Sequence, residues 1–212
     1  MSTRRTAPPA LADLPLRDAC VEVARALIAE HGIENLSLRD VARRLGVSHQ
    51  APYKHYPSRD YLLAEVMRRC FQHFAAALAG RERHADPIQD MRSLGRAYLL
   101  YALQNPLEYK LMFGTAWPEA ASQEDLLRDA RSSFNVLRDA LGPVYRGTLG
   151  KDDIDLNALF IWSSMHGLAT ILQSNVLRHL DLSETVLTSA VEHAMDMADA
   201  ALLATAPLPQ DS

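Results

Sequence analysis

The amino-acid sequence predicts an all-α protein of about nine helices. Apolar residues recur at three- and four-residue spacing from residue 16 to residue 204, no segment keeps the two-residue alternation of a half-buried strand, and the intervening breaks are Gly, Pro and short polar runs. At 212 residues the chain can bury a core without covalent staples, either as one large domain or as a small domain joined to a larger one.

The first helix is expected over Leu16–His31, where Leu16, Cys20, Val23, Leu27 and His31 share a stripe and Gly32 supplies the terminating glycine. Ser37 opens a second, short helix: its hydroxyl caps free amides, and Asp40 places a carboxylate where the helix dipole favours one. Gly46 closes it after Leu45. Ser48 is expected to cap a third short helix reaching about Tyr56, with Pro57-Ser58 breaking it and capping a long fourth one, Arg59 to about Ala79, marked by Leu62, Val66, Phe71, Phe74 and Leu78. Past the Gly80–Pro87 segment, the expected domain junction, further helices are placed at Pro87–Gln104, Pro106–Phe113, Ser122–Leu141, Asp153–Ser174 and Ser183–Thr205. Residues 1–14 are expected to form a disordered arm, residues 15–80 a head, 81–206 a body and 207–212 a disordered tail. There is no internal repeat.

Composition excludes several function classes. Cys20 and Cys70 stand apart with no Cys/His cluster beside them, so the expectation is two buried thiols in a reducing compartment, not a disulfide framework or a zinc site. The opening MSTRRTAPPALADLP breaks into Pro and Ala where a signal peptide needs a continuous apolar run, and no stretch approaches the roughly 18 apolar residues of a membrane span. A soluble, cytoplasmic protein with no membrane partner is expected. No Ser/His/Asp or paired-carboxylate arrangement suggests catalysis, so no enzyme activity, metal or cofactor is expected.

Charge divides the chain. Residues 1–72 carry 11 Lys+Arg against 8 Asp+Glu, whereas residues 73–212 carry 11 against 18, within a total of −4. A locally basic head on an acidic body suits nucleic-acid binding, because affinity for phosphate is set locally. Leu38 to Tyr56, LRDVARRLGVSHQAPYKHY, sharpens that reading. Ala42 is small where two short helices would cross, Gly46 allows the tight turn, and Val41, Leu45 and Val47 are apolar where inner faces must be covered. His49, Gln50, Lys54 and His55 are left facing outward. Periodicity alone leaves DNA binding and an unrelated two-helix corner both open.

Residues 17–78 resemble the DNA-binding domain of the TetR family, through LIAEHGIENLSLRDVARRLGVS and HQAPYKHYPSRDYLLAEV, with each motif in order and at unbroken spacing. The resemblance implies a helix-turn-helix in which Ser37 and Arg39 contact phosphate, Arg39 alternatively a base. It implies that Ser48, His49, Gln50 and Ala51 face bases or adjacent phosphates, that Tyr53 and His55 hold phosphate, that Lys54 serves either role, and that Arg59 fastens the fourth helix to the DNA backbone. Helix packing alone is the other reading of Tyr53 and His55, and Arg43 and Arg44 read as a solvated face. Pro52 departs from the family's usual aliphatic residue, with a small loss expected because amides in a first helical turn are free anyway. The APY spelling is similar to a subgroup that carries Trp-x-x-x-His-Gly in its C-terminal domain, matched here by Trp162, His166 and Gly167.

What the resemblance implies for the body is a homodimer through the eighth and ninth helices, Asp153–Ser174 and Ser183–Thr205, and a pocket for a small-molecule effector among the helices before them. Leu156, Leu159, Phe160, Ser163, Ser164, Gly167 and Thr170 suit such a seam. Met91, Tyr98, Tyr101, Met112, Phe113, Trp117 and Phe134, with Trp162, Met165 and His166, suit an apolar pocket with a few polar tips, or equally a filled core. The expected function is a repressor that holds a palindromic operator in double-stranded DNA as a dimer and is released by a small hydrophobic or aromatic effector. The alternatives are an activator or ligand-independent regulator of the same type, and a helical enzyme with a chance two-helix motif.

Overall fold

A computed structural model describes residues 13–118, 123–146 and 148–205. Most of the arm expected over residues 1–14, and the whole of the tail expected over 207–212, lie outside these residues. The described residues form eight α-helices and no strand: α1 (Leu16–His31), α2 (Leu38–Leu45), α3 (Arg59–Ala79), α4 (Pro87–Gln104), α5 (Pro106–Phe113), α6 (Gln123–Val144), α7 (Lys151–Gln173) and α8 (Glu184–Thr205). Short 3₁₀ segments follow α1 (Ile33–Asn35), α2 (Pro52–Lys54) and α7 (Asn175–His179).

The count is eight, not nine, because the helix expected from Ser48 to Tyr56 does not form. Were Ser48 the cap, its carbonyl would accept the first α-type bond from the amide of residue 52, and Pro52 has none. The Ser48 carbonyl accepts from the Ala51 amide instead (3.0 Å), and bonds of the same three-residue reach follow from Lys54 to Ala51 (3.3 Å) and from His55 to Pro52 (3.0 Å). The proline thus deletes the nucleating bond of the helix, a larger effect than the small loss expected. Elsewhere α6 runs past the expected stop at Leu141 through Gly142 and Pro143. Pro143 stands one residue from the end, and fully buried Tyr145 anchors the chain just beyond.

The chain divides into two compact units. The first comprises residues up to Phe71 together with Lys110–Ala130. Its core is the inner faces of α1 (Cys20, Val23, Leu27), α2 (Leu38, Val41, Leu45) and α3 (Leu62, Val66, Met67). Glu65, almost buried on α3, accepts both Nε and Nη2 of Arg68 at 2.8 Å and Nε of Arg69 at 3.2 Å, and Arg69 reaches back to Asp18 of α1. Cys20 and Cys70 are buried free thiols, and burial pushes Cys20 up to about 11, which keeps it protonated and inert.

The second unit comprises Gln72–Tyr109 and residues from Arg131 onward. Its helices α4, α7 and α8 meet at Gly95, where an added Cβ would stand 2.8 Å from Met195 Sδ and 3.7 Å from Met165 Sδ, so the absence of a side chain admits both thioethers. Arg92 of α4 reinforces the contact by donating to Glu192 (3.0 Å), Asp196 (2.8 Å) and Asp199 (2.5 Å) of α8. Arg138 of α6 pairs with Asp155 of α7 at 2.6 Å. The turn between α3 and α4 is organised by Asp90, which accepts from Arg81 (2.7 Å), Arg83 (2.9 Å) and the His84 amide (3.2 Å).

Candidate functional site

The two-helix corner follows from its capping chemistry. Ser37 is extended (φ −140°, ψ 145°), accepts the Asp40 amide at 3.1 Å and donates to the Asp40 carboxylate at 2.6 Å, so its hydroxyl is occupied in starting α2. Gly46 adopts a left-handed conformation (φ 70°, ψ 23°). It donates to Arg43 (3.3 Å) while Val47 donates to Ala42 (3.1 Å), the paired bonds that close a helix at a left-handed residue. Ala42 is fully buried, and Val47 is half-buried.

The outward residues of this corner form one polar strip. Arg39 on α2 and Ser48, His49, Gln50, Tyr53, Lys54 and His55 in the following segment are exposed, whereas Ala51 is half-buried and Pro52 and Tyr56 are buried. The Tyr56 hydroxyl donates to the Arg17 carbonyl at 3.1 Å, and burial pushes it up to about 12, so it remains a donor that ties the segment to α1. Arg44 is held by both carboxylate oxygens of Glu30 at 2.6 Å, and Arg43 pairs with Asp40 at 2.7 Å. Arg59 is also engaged within the protein: Nη2 donates to the Ile33 carbonyl (2.6 Å) and Nε to the Leu36 carbonyl (3.2 Å), fastening the start of α3 to the link between α1 and α2.

The ten residues suggested for an effector pocket fall into both units. Met112, Phe113 and Trp117 belong to the first, where Phe113 and Trp117 each meet the Phe71 ring at 5.7 Å and the Trp117 indole donates to the Met112 carbonyl (3.2 Å). The other seven lie in the second unit. There Met91 and Met165 are buried, and Tyr101 is buried with its hydroxyl donating to Glu108 and its ring 5.1 Å from Phe74. Trp162 meets Phe134 at 5.9 Å. The polar centre of this group is Tyr98, Trp162 and His166 together with Tyr109, a residue the sequence reading passed over while naming its neighbours Met112 and Phe113. A tyrosine one helical turn from those two, with the same apolar body and polar tip as Tyr98, was the available signal.

In this cluster the Trp162 indole donates to the Tyr98 oxygen (3.2 Å), the Tyr98 and Tyr109 hydroxyls are 2.8 Å apart, and Tyr109 lies 2.6 Å from His166 Nδ1. The arrangement that satisfies both hydroxyl protons runs from Tyr98 to Tyr109 to Nδ1, which leaves the imidazole proton on Nε2. Burial pushes Tyr98 up to about 12 and Tyr109 higher still, and lowers His166 below its ordinary 6.5, so all three are neutral near pH 7. The unfolded chain takes up the histidine proton as the pH falls through about 6.5, before the folded one does. The stability held above pH 6.5 is therefore lost as pH falls toward the lower folded value, at no more than about 1.4 kcal/mol per pH unit for one proton. Comparing urea unfolding of the protein and His166→Gln between about pH 5 and 8 should show a shallower acid-side loss in the variant; parallel profiles would remove His166 as the cause.

Residues 21–66 match the family described as bacterial regulatory proteins of the tetR family, and residues 91–198 match the tetracyclin repressor-like C-terminal domain. The chain belongs to the TetR family of transcriptional regulators and carries that family's DNA-binding domain. An HTH-type transcriptional regulator of Mycobacterium tuberculosis is 33% identical over 101 residues, which is 46% of this chain and 43% of the relative. The chain thus matches less than half the length of that curated relative. Among solved structures, a Rhodococcus sp. RHA1 protein of unknown function superposes with a TM-score of 0.71 at 26% identity, covering 95% of this chain and 100% of that one. A transcriptional regulator from the same organism gives 0.66 at 24% identity, over 92% and 99%, which speaks to the fold alone. The family is one of transcription regulators. Among the described residues no group of acidic, His or Cys side chains could hold a metal, and no helix is long and apolar enough to cross a membrane.

Proposed function

We propose that this protein is a repressor that binds a near-palindromic operator as a homodimer and releases it when a small hydrophobic or aromatic effector enters the C-terminal body. The exposed polar strip from Ser48 to His55, presented on a corner whose other side is buried, carries the DNA reading. In this reading residues 15–80 are the DNA-binding domain and residues 81–206 the regulatory one. His49, Gln50 and Ala51 approach base edges, Ser48, Tyr53 and His55 approach phosphate, Lys54 serves either, Arg39 holds the backbone from α2, and Ser37 reaches that backbone only by giving up its hydroxyl bond to Asp40. Arg59 contributes by fixing the corner as well as by its charge, since its guanidinium donates to the Ile33 and Leu36 carbonyls.

The dimer reading rests on α7. Leu156, Leu159 and Phe160 are 66%, 49% and 48% exposed on a helix whose opposite face, Ala158, Ile161, Met165 and Ala169, is buried. Between them Ser163 and Ser164 donate to the Phe160 carbonyl and Thr170 to the His166 carbonyl, so these hydroxyls are satisfied within the helix and can be covered at little cost. A Cβ on Gly167 would meet open space, room for a second helix to approach. An effector reading is supported by the Tyr98, Tyr109, Trp162 and His166 cluster, whose polar tips lie within apolar surroundings.

Electrophoretic shift against the intergenic DNA beside the gene, with and without compounds found by thermal-shift screening, tests the proposal. Retarded DNA that is released by a stabilising compound is expected; absence of any sequence-selective shift would overturn it. Within that assay Arg59→Ala and Tyr53→Ala should weaken binding to all sequences, whereas His49→Ala and Gln50→Ala should change preference at particular base pairs by about 1–3 kcal/mol each. Equal losses on every sequence for all four variants would show that none of them reads bases.

A further inference from the structure

We propose that Pro52 is a positioning residue for sequence recognition, setting the spacing at which this protein presents its DNA-facing side chains; the inference rests on the DNA reading above. From Ser48 to His55 the amides of Ala51, Lys54 and His55 each reach three residues back, at 3.0, 3.3 and 3.0 Å, and a four-residue bond of the helical kind returns only at Tyr56, whose amide donates to the Pro52 carbonyl at 2.9 Å. The cause is local. Pro52 has no amide to give the Ser48 carbonyl, which is occupied instead by Ala51. Its buried ring and the buried Tyr56 ring, the latter hydrogen-bonded to Arg17, then hold the segment against the rest of the corner at two points.

The difference in geometry is a sizeable fraction of a base-pair step. A 3₁₀ segment rises about 2.0 Å per residue against about 1.5 Å in an α-helix. Over the two steps of the Pro52–Lys54 segment the chain therefore advances about 1 Å further, close to a third of the roughly 3.4 Å between base pairs. Residues three apart are joined there, Ala51 to Lys54 and Pro52 to His55, which turns the exposed Lys54 and His55 away from where a continuous α-helix would put them. The phosphate-facing tail, Tyr53 to His55, is thereby displaced along the groove relative to the base-facing His49 and Gln50. A reading head held at one spacing selects half-sites in which bases and phosphates match it.

Selection of half-sites from randomised duplex DNA by the full-length protein and by Pro52→Leu tests this, because leucine restores the amide. The expected result is a change of preferred base at one or more half-site positions, with at least a tenfold loss of affinity of Pro52→Leu for the parent sequence and a thermal midpoint close to the parent's. Identical preferred bases at every position, with affinities within twofold, would overturn the proposal. If Pro52→Leu does not fold, Pro52→Ala takes its place in the selection. Amide NMR of the parent supplies a measurement that needs no variant: contacts between residues two apart over residues 51–55 support the proposal, and a continuous set between residues four apart overturns it. Failure of the parent itself to select any sequence would instead overturn the DNA reading, and the proposal with it.

Discussion

Replacing Leu159 and Phe160 together by glutamate is expected to leave a folded monomer that no longer holds operator DNA. Both side chains are about half exposed on α7 (49% and 48%), so each retains a large apolar area for a partner to cover. Covering a large apolar side chain is worth about 1.5–3 kcal/mol when complete, and in a two-fold interface every substitution counts twice. Four apolar contacts are lost and four like charges are brought to one seam, more than a typical dimer can absorb. The residues that hold α7 in its own protomer, Ala158, Ile161, Met165 and Ala169, point the other way and are untouched. Far-ultraviolet circular dichroism should therefore be unchanged, while sedimentation equilibrium at micromolar concentration should report the single-chain mass of 23.5 kDa. One reading segment alone contacts a single half-site, so operator affinity should fall at least 100-fold. A variant that still sediments at twice the chain mass would place the seam elsewhere.

How much of this was legible in the sequence depended on whether a boundary was set by local chemistry. The end of α1 and both ends of α2 were readable because Gly32, Ser37 and Gly46 act within their own turns, and the structure has the same bounds. The segment after α2 departs from expectation because Pro52 stands just past the residues whose amides are free at a helix start. Ser48 is a good cap, but the residue four places on must donate the first bond, and it is proline. The stop expected at Gly142-Pro143 failed for the converse reason: a proline in the last turn removes a single bond, and burial of Tyr145 beyond it outweighs that loss. Pairings between helices left no local trace. Nothing in the sequence joined Tyr109 of α5 to His166 of α7, 57 positions away. Nor did Arg59, read from the family resemblance as a clamp on DNA, show in advance that its guanidinium would hold the Ile33 and Leu36 carbonyls.

Loss of the Asp90 carboxylate should be among the most damaging single changes to the fold, at about 3–5 kcal/mol for Asp90→Ala, because it strands a buried charge. The Arg81 side chain is only 3% exposed, and its Nη2 lies 2.7 Å from Asp90 Oδ2. Arg81 spends Nη1 on the Leu78 carbonyl at 3.0 Å, while its Nε is buried without a hydrogen-bond partner among the described residues. Asp90 is therefore the principal compensation for a cation that water does not reach. Burial pushes the Asp90 carboxyl up, but the His84 amide and the Arg81 and Arg83 guanidiniums outweigh it and hold the group below its ordinary 3.8. The stabilisation is accordingly complete above about pH 3.8 and is lost as the pH falls through the lower folded value. Asp90→Ala should lower the urea midpoint at neutral pH and shed that part of the acid-side loss. Removing both charges, in Arg81→Met with Asp90→Leu, should restore most of the midpoint, since an apolar pair of similar volume carries no desolvation cost. A double variant as unstable as Asp90→Ala would show that the turn depends on the hydrogen bonds to His84 and Arg83 and not on the buried charge, and a single variant at the parent midpoint would show that the pair holds nothing.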